Sequence, residues 1–309
     1  VALIARCAHK LAPLSLGRLI GDEVQCGYHG LHFDCTGQCT RVPGQDKIPA
    51  QAKVHSFPVV ERYNLIWIWM GDPALADPDR IIEVRRYGEP GWAVIDGQYQ
   101  YHRTCYLNIA ENLVDPAHTT YVHKATIGNP AAEEVPVTID VGKTEQGIDY
   151  VRAYRWTNNA EPPPIDKTLG HFGDGLTDRC QSYNYFPPSV SLVDVTTMKA
   201  GQEHTEENMD KGQRAYSYKF VTPETESRTH FFWMHVRNFN LDEDTSERIA
   251  AMNATFQEDN AMTSAMQREH EAAGKRQQAW LAIDAAPSRV TKMIEQMARA
   301  ESEATQAAS

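Results

Sequence analysis

The stretch Glu111-Asn-Leu-Val-Asp115-Pro-Ala-His118-Thr-Thr-Tyr-Val-His123 decides how this chain is read. Two histidines and a carboxylate fall within nine residues, and Leu113, Val114, Tyr121 and Val122 give the segment apolar side chains with which to bury itself. On a helix at about 100° per residue, Asp115 and His118 share a face, whereas His118 and His123, five apart, diverge by roughly 140°. Pro116 removes an amide donor, so an irregular or π-like turn is expected between the two imidazoles, letting them converge. Two neutral imidazoles and one carboxylate on one side of a ferrous ion leave positions open for further ligands. Two satisfied helix histidines beside a structural Asp are the competing reading of the same residues.

A second constellation lies upstream. Cys7-Ala-His9 and Cys26-Gly-Tyr-His29 are two mixed Cys/His pairs separated by sixteen residues, with Pro13, Gly17 and Gly30 close by. Two thiolates can hold one iron of a [2Fe-2S] cluster while two imidazoles hold the other, which raises its reduction potential over an all-thiolate cluster. Each pair then contributes one ligand to each iron, which requires two adjacent loops at the tip of a β module. A structural Cys2His2 zinc site uses the same ligand types, but zinc arms usually pair two cysteines each, and here both arms are mixed. The first seventy-odd residues alternate short apolar runs with Gly, Pro and Asp turns, as an all-β module does.

With both constellations in hand, a resemblance follows. Cys7-x-His9, Ala12-Pro-Leu-Ser-Leu-Gly-Arg18, Cys26-x-Tyr-His-Gly30 and Asn112-x2-Asp115-x2-His118-x4-His123, in that order, resemble the oxygenase component of the Rieske non-haem iron oxygenases. The subgroup most similar is that of vanillate O-demethylase and toluene-sulfonate methyl-monooxygenase. Val42-Pro-Gly-Gln45, Ile66-Trp-Ile-Trp-Met-Gly-Asp-Pro73, Thr222-Pro-Glu-Thr-Glu226 and Arg237-Asn-Phe239 extend the likeness over nearly the whole chain.

The resemblance implies an α+β chain: an N-terminal all-β Rieske domain over 1–75, lacking its first strands, then a catalytic domain of helices and antiparallel sheet over 76–309 that holds mononuclear Fe(II). It implies that Cys7, His9, Cys26 and His29 hold the cluster, and that Asn112 lies close to the iron without being a regular ligand. It further implies that Asp115 hydrogen-bonds a ligand histidine and bridges to a cluster histidine of a neighbouring subunit in a homotrimer. Such a carboxylate orients an imidazole, raises its basicity and joins the two metals through hydrogen bonds.

The bulk numbers agree with a water-exposed enzyme. The 41% hydrophobic content can bury a sizeable core, and 30 basic against 41 acidic residues argue against a nucleic-acid footprint. The longest apolar run, Leu65 to Met70, is far too short to span a bilayer, and Val1-Ala-Leu-Ile4 has no basic segment before it, so no membrane span and a cytoplasmic location are expected. Six cysteines in an intracellular protein of this size point to metal before disulfides.

Residues 150 to 240 alternate β-like runs with two polar insertions, Asn158 to Gly175 and Lys199 to Gln213, which read as gates over a pocket. His230 shares a strand face with Phe232 and Met234, and the resemblance makes it a candidate donor to the substrate. From Thr245 the pattern turns helical, with Ile249, Met252, Phe256, Thr263 and Met266 at spacings of three, four and seven. Asp259 falls on that stripe, where a bare carboxylate is costly, so it is the expected third iron ligand, ahead of Glu258, which points off the stripe. An Arg partner in the core is the other explanation. The tail beyond Glu301 is expected to fray.

The functional expectation is the terminal oxygenase of a multicomponent system. Electrons from NAD(P)H reach it through a separate iron-sulfur/flavin reductase, since no G-x-G-x-x-G follows a strand here. The expected reaction places one oxygen atom from O2 on a methyl or methoxy carbon of a small aromatic compound, in the latter case with demethylation. Aromatic-ring cis-dihydroxylation and a zinc-bearing ligand-binding protein without redox chemistry remain the alternatives.

Overall fold

The computed structural model describes residues 1–169, 175–274 and 279–307, with side chains described up to 304. Two compact units divide the chain, Val1–Ile81 and Ile82–Ser309. The turn region around Asp77-Pro-Asp79 stays with the first unit, where Arg62 Nη1 donates to the Pro78 carbonyl at 3.1 Å.

The first unit is built from short antiparallel strands. β1 (Ala2–Leu3) pairs with β6 (Ser56–Phe57), while β2 (Arg18–Ile20), β3 (Glu23–Gln25), β4 (His32–Phe33) and β5 (Cys39–Arg41) form a four-stranded sheet in that order. β7 (Val59–Arg62) and β8 (Leu65–Ile68) make a separate hairpin. Phe33, Leu31, Leu14 and Val54 fill a small core against the buried sulfurs of Cys7 and Cys26. Two glycines bring the cysteine-bearing loops together: a Cβ on Gly17 would sit 2.2 Å from the Gln25 carbonyl, and one on Gly27 2.6 Å from that of Leu16. No side chain fits at either contact.

The second unit is a seven-stranded antiparallel sheet with its long helices on one face and a short helix, carrying Met209, packed against Cys180 and Met198 on the other. β9 (Ala93–His102) leads into α1 (Tyr106–Asn112) and α2 (Thr119–Val122), and is followed by β10 (Thr138–Lys143), β11 (Asp149–Ala160), α3 (Pro164–Thr168), β12 (Thr177–Phe186) and β13 (Val190–Lys199). Next come α4 (Glu206–Lys211), β14 (Gln213–Thr225), β15 (Arg228–Arg237), α5 (Ser246–Ala273) and α6 (Ala285–Ala307). Sheet order is β10-β11-β12-β13-β14-β15-β9, so consecutive hairpins form a meander and the first strand closes it beside the last. The core lies between sheet and helices, where Trp233, Phe231, Val151, Ile109, Phe256 and Val290 pack together.

Three features depart from the sequence reading. The irregular turn expected between the two imidazoles falls before them instead: α1 stops at Asn112, residues 113–118 are irregular, and His118 and His123 flank the short helix α2. Pro116 explains the break, because its ring and missing N–H cannot continue the ladder. The insertion from Lys199 to Gln213 is no loose gate: α4 is tied down by Arg214, whose Nη1 reaches Glu206 Oε2 at 2.7 Å and Asp210 Oδ1 at 2.8 Å. Helix α6 also continues past Glu301 to Ala307. Of the other insertion, residues 170–174 lie outside the described residues.

Candidate metal centre

Where α1 ends, Asp115 takes over the local backbone. Its Oδ1 accepts from the Ala117 amide at 2.7 Å and its Oδ2 from the His118 amide at 3.3 Å, closing a local turn that leads into the short helix. From β11, buried Arg155 straps the same loop: Nη2 donates to the Pro116 carbonyl at 3.0 Å and to Thr119 Oγ1 at 3.1 Å, and Nη1 to the Ala132 carbonyl at 2.9 Å. The irregular turn is therefore held rigidly, which a binding constellation needs.

His118, His123 and Asp259 converge there, with one ligand atom of each lying within 4.8 Å of the others. Both imidazoles turn Nε2 toward Asp259 Oδ1, His118 at 3.4 Å and His123 at 3.0 Å. Each Nδ1 faces a second carboxylate behind it: His123 Nδ1 lies 2.7 Å from Glu258 Oε2, and His118 Nδ1 lies 3.5 Å from Asp115 Oδ2. At His123 this is a hydrogen-bonded carboxylate behind the imidazole, the arrangement that selects the tautomer and raises ligand basicity, whereas at His118 the carboxylate stands close without a hydrogen bond. Glu258 also accepts from Thr126 Oγ1 at 2.8 Å. Asn112 Nδ2 donates to Asp259 Oδ1 at 3.2 Å.

The electrostatics say what the site wants. Burial alone depresses the His118 imidazole, but the Asp115 and Asp259 carboxylates outweigh it and lift His118 to about 9. Burial opposes ionisation of Asp259, yet the two histidine donors hold its carboxyl well below the usual carboxylate range. A buried carboxylate facing two imidazole nitrogens is a donor set suited to a divalent metal, and the mixed N2O ligands fit ferrous iron. Sequence reasoning missed Glu258, which leaves the α5 stripe as expected but reaches around to His123.

The candidate ligand atoms open onto a cavity whose floor is the helix-facing side of the sheet, with Val193, Val195, Phe239 and Phe256 among its apolar walls. His230 is not on that floor. On β15 the buried side carries Phe231, Trp233, His235 and Arg237, while His230 turns to the opposite face, where its Nδ1 lies 2.9 Å from Tyr99 Oη. His230 thus lies outside the cavity lining, and His235, an odd number of residues further along the strand, lines the cavity instead. Lys219 and Ser217, also in that wall, were likewise not singled out by sequence, although a lysine inside the run Tyr216 to Val221 was a visible signal.

In the first unit, Cys7 and Cys26 are 1% and 2% exposed, with their thiols in hydrogen-bond contact. Burial raises the Cys26 thiol, but the backbone amides of Tyr28 and His29 aimed at its sulfur outweigh that and lower it. The His9 and His29 rings sit 4.8 Å apart on the exposed side of the same loops. Sulfurs inside, imidazoles outside and amides aimed at sulfur are what a two-thiolate, two-imidazole cluster requires.

Comparison with known proteins agrees with both centres. Residues 1–58 match the Rieske [2Fe-2S] domain, and residues 102–300 match the vanillate O-demethylase oxygenase C-terminal domain. A putative toluene-4-sulfonate monooxygenase system iron-sulfur subunit of Comamonas testosteroni is 33% identical over 99% of this chain and 88% of its own. A vanillate O-demethylase oxygenase subunit of a Pseudomonas strain is 35% identical over 96% of this chain and 89% of its own. A crystal structure of dicamba monooxygenase bound to 3,6-dichlorosalicylic acid superimposes with a TM-score of 0.86 at 30% identity, covering 98% of this chain and 87% of that one. No helix among the described residues is long and apolar enough to cross a membrane. On the strength of the two matched domains and these relatives, the chain belongs to the Rieske non-haem iron oxygenases, within the vanillate O-demethylase oxygenase family.

Proposed function

We propose that this chain is the terminal oxygenase of a multicomponent monooxygenase acting on a methyl or methoxy carbon of a small aromatic compound. Cys7, His9, Cys26 and His29 hold the [2Fe-2S] cluster, and His118, His123 and Asp259 hold the mononuclear iron. When bound, the cluster supplies electrons singly and the iron supplies a centre for activating O2. The observation that carries the reading is that three metal ligand atoms, backed by Glu258 and Asp115, face an apolar cavity deep in the catalytic unit.

The protein's own residues do the rest. Phe256, Val193 and Val195 exclude water and present a surface on which an aromatic ring lies flat. Glu258 keeps the His123 imidazole in the tautomer that offers Nε2, and the Asp115 carboxylate lies 3.5 Å behind His118 Nδ1. Asn112 holds Asp259 Oδ1 in place. Hydroxylating a methoxy carbon gives a hemiacetal, whose collapse releases the demethylated phenol and formaldehyde. Asp115 carries the link to a neighbouring subunit's cluster in a homotrimer, and a separate NAD(P)H-dependent reductase delivers the electrons in the cytoplasm.

Iron and acid-labile sulfide analysis tests the reading: three irons and two sulfides per chain are expected, and zinc without sulfide overturns it. Turnover under labelled O2 should then place one labelled atom in the product. A cis-diol carrying two labelled atoms overturns the monooxygenase assignment.

A further inference from the structure

The sheet floor of the cavity carries polar groups that the chemistry at iron does not use. Ser217 and Lys219 are two residues apart on β14, hence on one face, and Ser217 is directly opposite His235 on β15. All three line the cavity that contains the metal ligands. They are buried, at 8%, 4% and 5% exposure respectively.

Buried polar groups are normally satisfied, and these are not. Ser217 Oγ and His235 Nδ1 have no hydrogen-bond partner among the described residues. An ammonium carries three donors, and Lys219 Nζ spends one, on the Ser217 carbonyl at 3.2 Å. Among the described residues no carboxylate lies within 4.0 Å of it. The other cavity cations differ: Arg179 has Asp166 at 3.3 Å, and Arg248 has Glu243 at 2.5 Å. An unpaired ammonium in an apolar pocket is costly, so its retention over a methionine of similar size calls for an anion that arrives from outside.

We propose that Lys219, assisted by Ser217 Oγ, is the subsite for an anionic substituent, carboxylate or sulfonate, of the aromatic substrate. This deepens the proposed function and rests on it only for placing the substrate in this cavity. The wall beside Lys219 suits a ring: Nζ lies 5.5 Å from the centroid of Phe256, so an arene packed on Phe256 brings a substituent to the ammonium. Burial pulls the Lys219 ammonium down to about 7, with Asp259 alone opposing it, and an anion in contact restores its charge. The chemistry at iron fixes which carbon reacts, and the Lys219 contact fixes which aromatic compounds are presented to it.

The test is equilibrium binding, without reductant, to the iron-loaded protein, using 4-methylbenzoate, 4-methylbenzenesulfonate and the uncharged 4-methylbenzamide as probes. The wild type should bind at least one of the two anions at least thirtyfold more tightly than the amide, and the stronger of the two names the acid class. In Lys219→Met that anion should lose at least thirtyfold in affinity while the amide changes less than threefold, and Lys219→Arg should recover part of the loss. The unliganded Lys219→Met protein should melt no lower than wild type, since it sheds an unpaired buried charge. Equal wild-type affinity for anions and amide, or an anion affinity unchanged by Lys219→Met, overturns the proposal. Because nothing turns over in this assay, its failure with iron and sulfide present refutes the anion subsite alone, whereas missing iron and sulfide refute the oxygenase reading alone.

Discussion

Replacing Glu258 by alanine tests how the iron site is held. Glu258 Oε2 accepts from His123 Nδ1 at 2.7 Å, and His123 is 1% exposed, so the imidazole has no water with which to replace that partner. A hydrogen bond to a charged group contributes about 1.5–3 kcal/mol. The carboxylate is 28% exposed, which places it in the middle of that range, about 2 kcal/mol. At about 1.4 kcal/mol per factor of ten this corresponds to a roughly thirtyfold weaker iron affinity, within the span seen when groups behind metal ligands are removed. The assay is an anaerobic ferrous titration against a chromogenic chelator, with the visible absorption of the cluster followed in the same samples. Glu258→Ala should lose iron affinity and keep the cluster, because the four cluster residues lie in the other unit. Wild-type iron affinity in the variant would refute the reasoning, as would loss of the cluster together with the iron.

Other expectations follow from the same geometry. Asp115→Asn should keep the cluster spectrum and most of the iron while turnover with reductase stops; wild-type turnover would remove the inter-subunit bridge. Arg155→Met leaves the Pro116 and Ala132 carbonyls without their donor and should lower both thermal stability and iron affinity, read by melting and by the same chelator titration. Trp233→Ala empties a site 1% exposed and should cost about 3–5 kcal/mol in denaturant unfolding. Without metal, His118 is raised above its ordinary 6.5 to about 9, so the stability it contributes is complete below pH 6.5 and is lost as pH rises through about 9. Iron must displace that proton, so iron affinity should climb by roughly tenfold per pH unit below about pH 9 and then level off. A flat profile between pH 6.5 and 8.5 would contradict the shift.

Much was legible locally. The mixed Cys/His pairs, the nine residues ending at His123 and the break that Pro116 imposes all depend on neighbours in the chain. The apolar stripe of α5 likewise turned Asp259 inward, because a period near 3.6 leaves it beside Phe256 and Thr263, and the structure buries it at 8%. The strand runs in β11, β13, β14 and β15 were visible as apolar, β-branched and aromatic segments, whereas β12 was hidden by its polar residues: Arg179 and Gln181 line the cavity, and Asp178, on the other face, accepts from the Asn159 and Gly201 amides.

What sequence alone determined, then, is which chemistry the chain carries: ligand types, their spacing and the order of the two centres, all set by covalent neighbours. Only the tertiary structure decided which side of each strand meets the helices. A strand's period of two defines two faces without saying which one is covered, so His230 and His235 were equivalent until α5 packed over the sheet and left His235 inside. The same packing brought Glu258 behind His123, a residue 135 positions away, and enclosed Lys219 with no carboxylate in contact among the described residues. Contacts of that range are chosen by how apolar faces stack, and no local pattern encodes them.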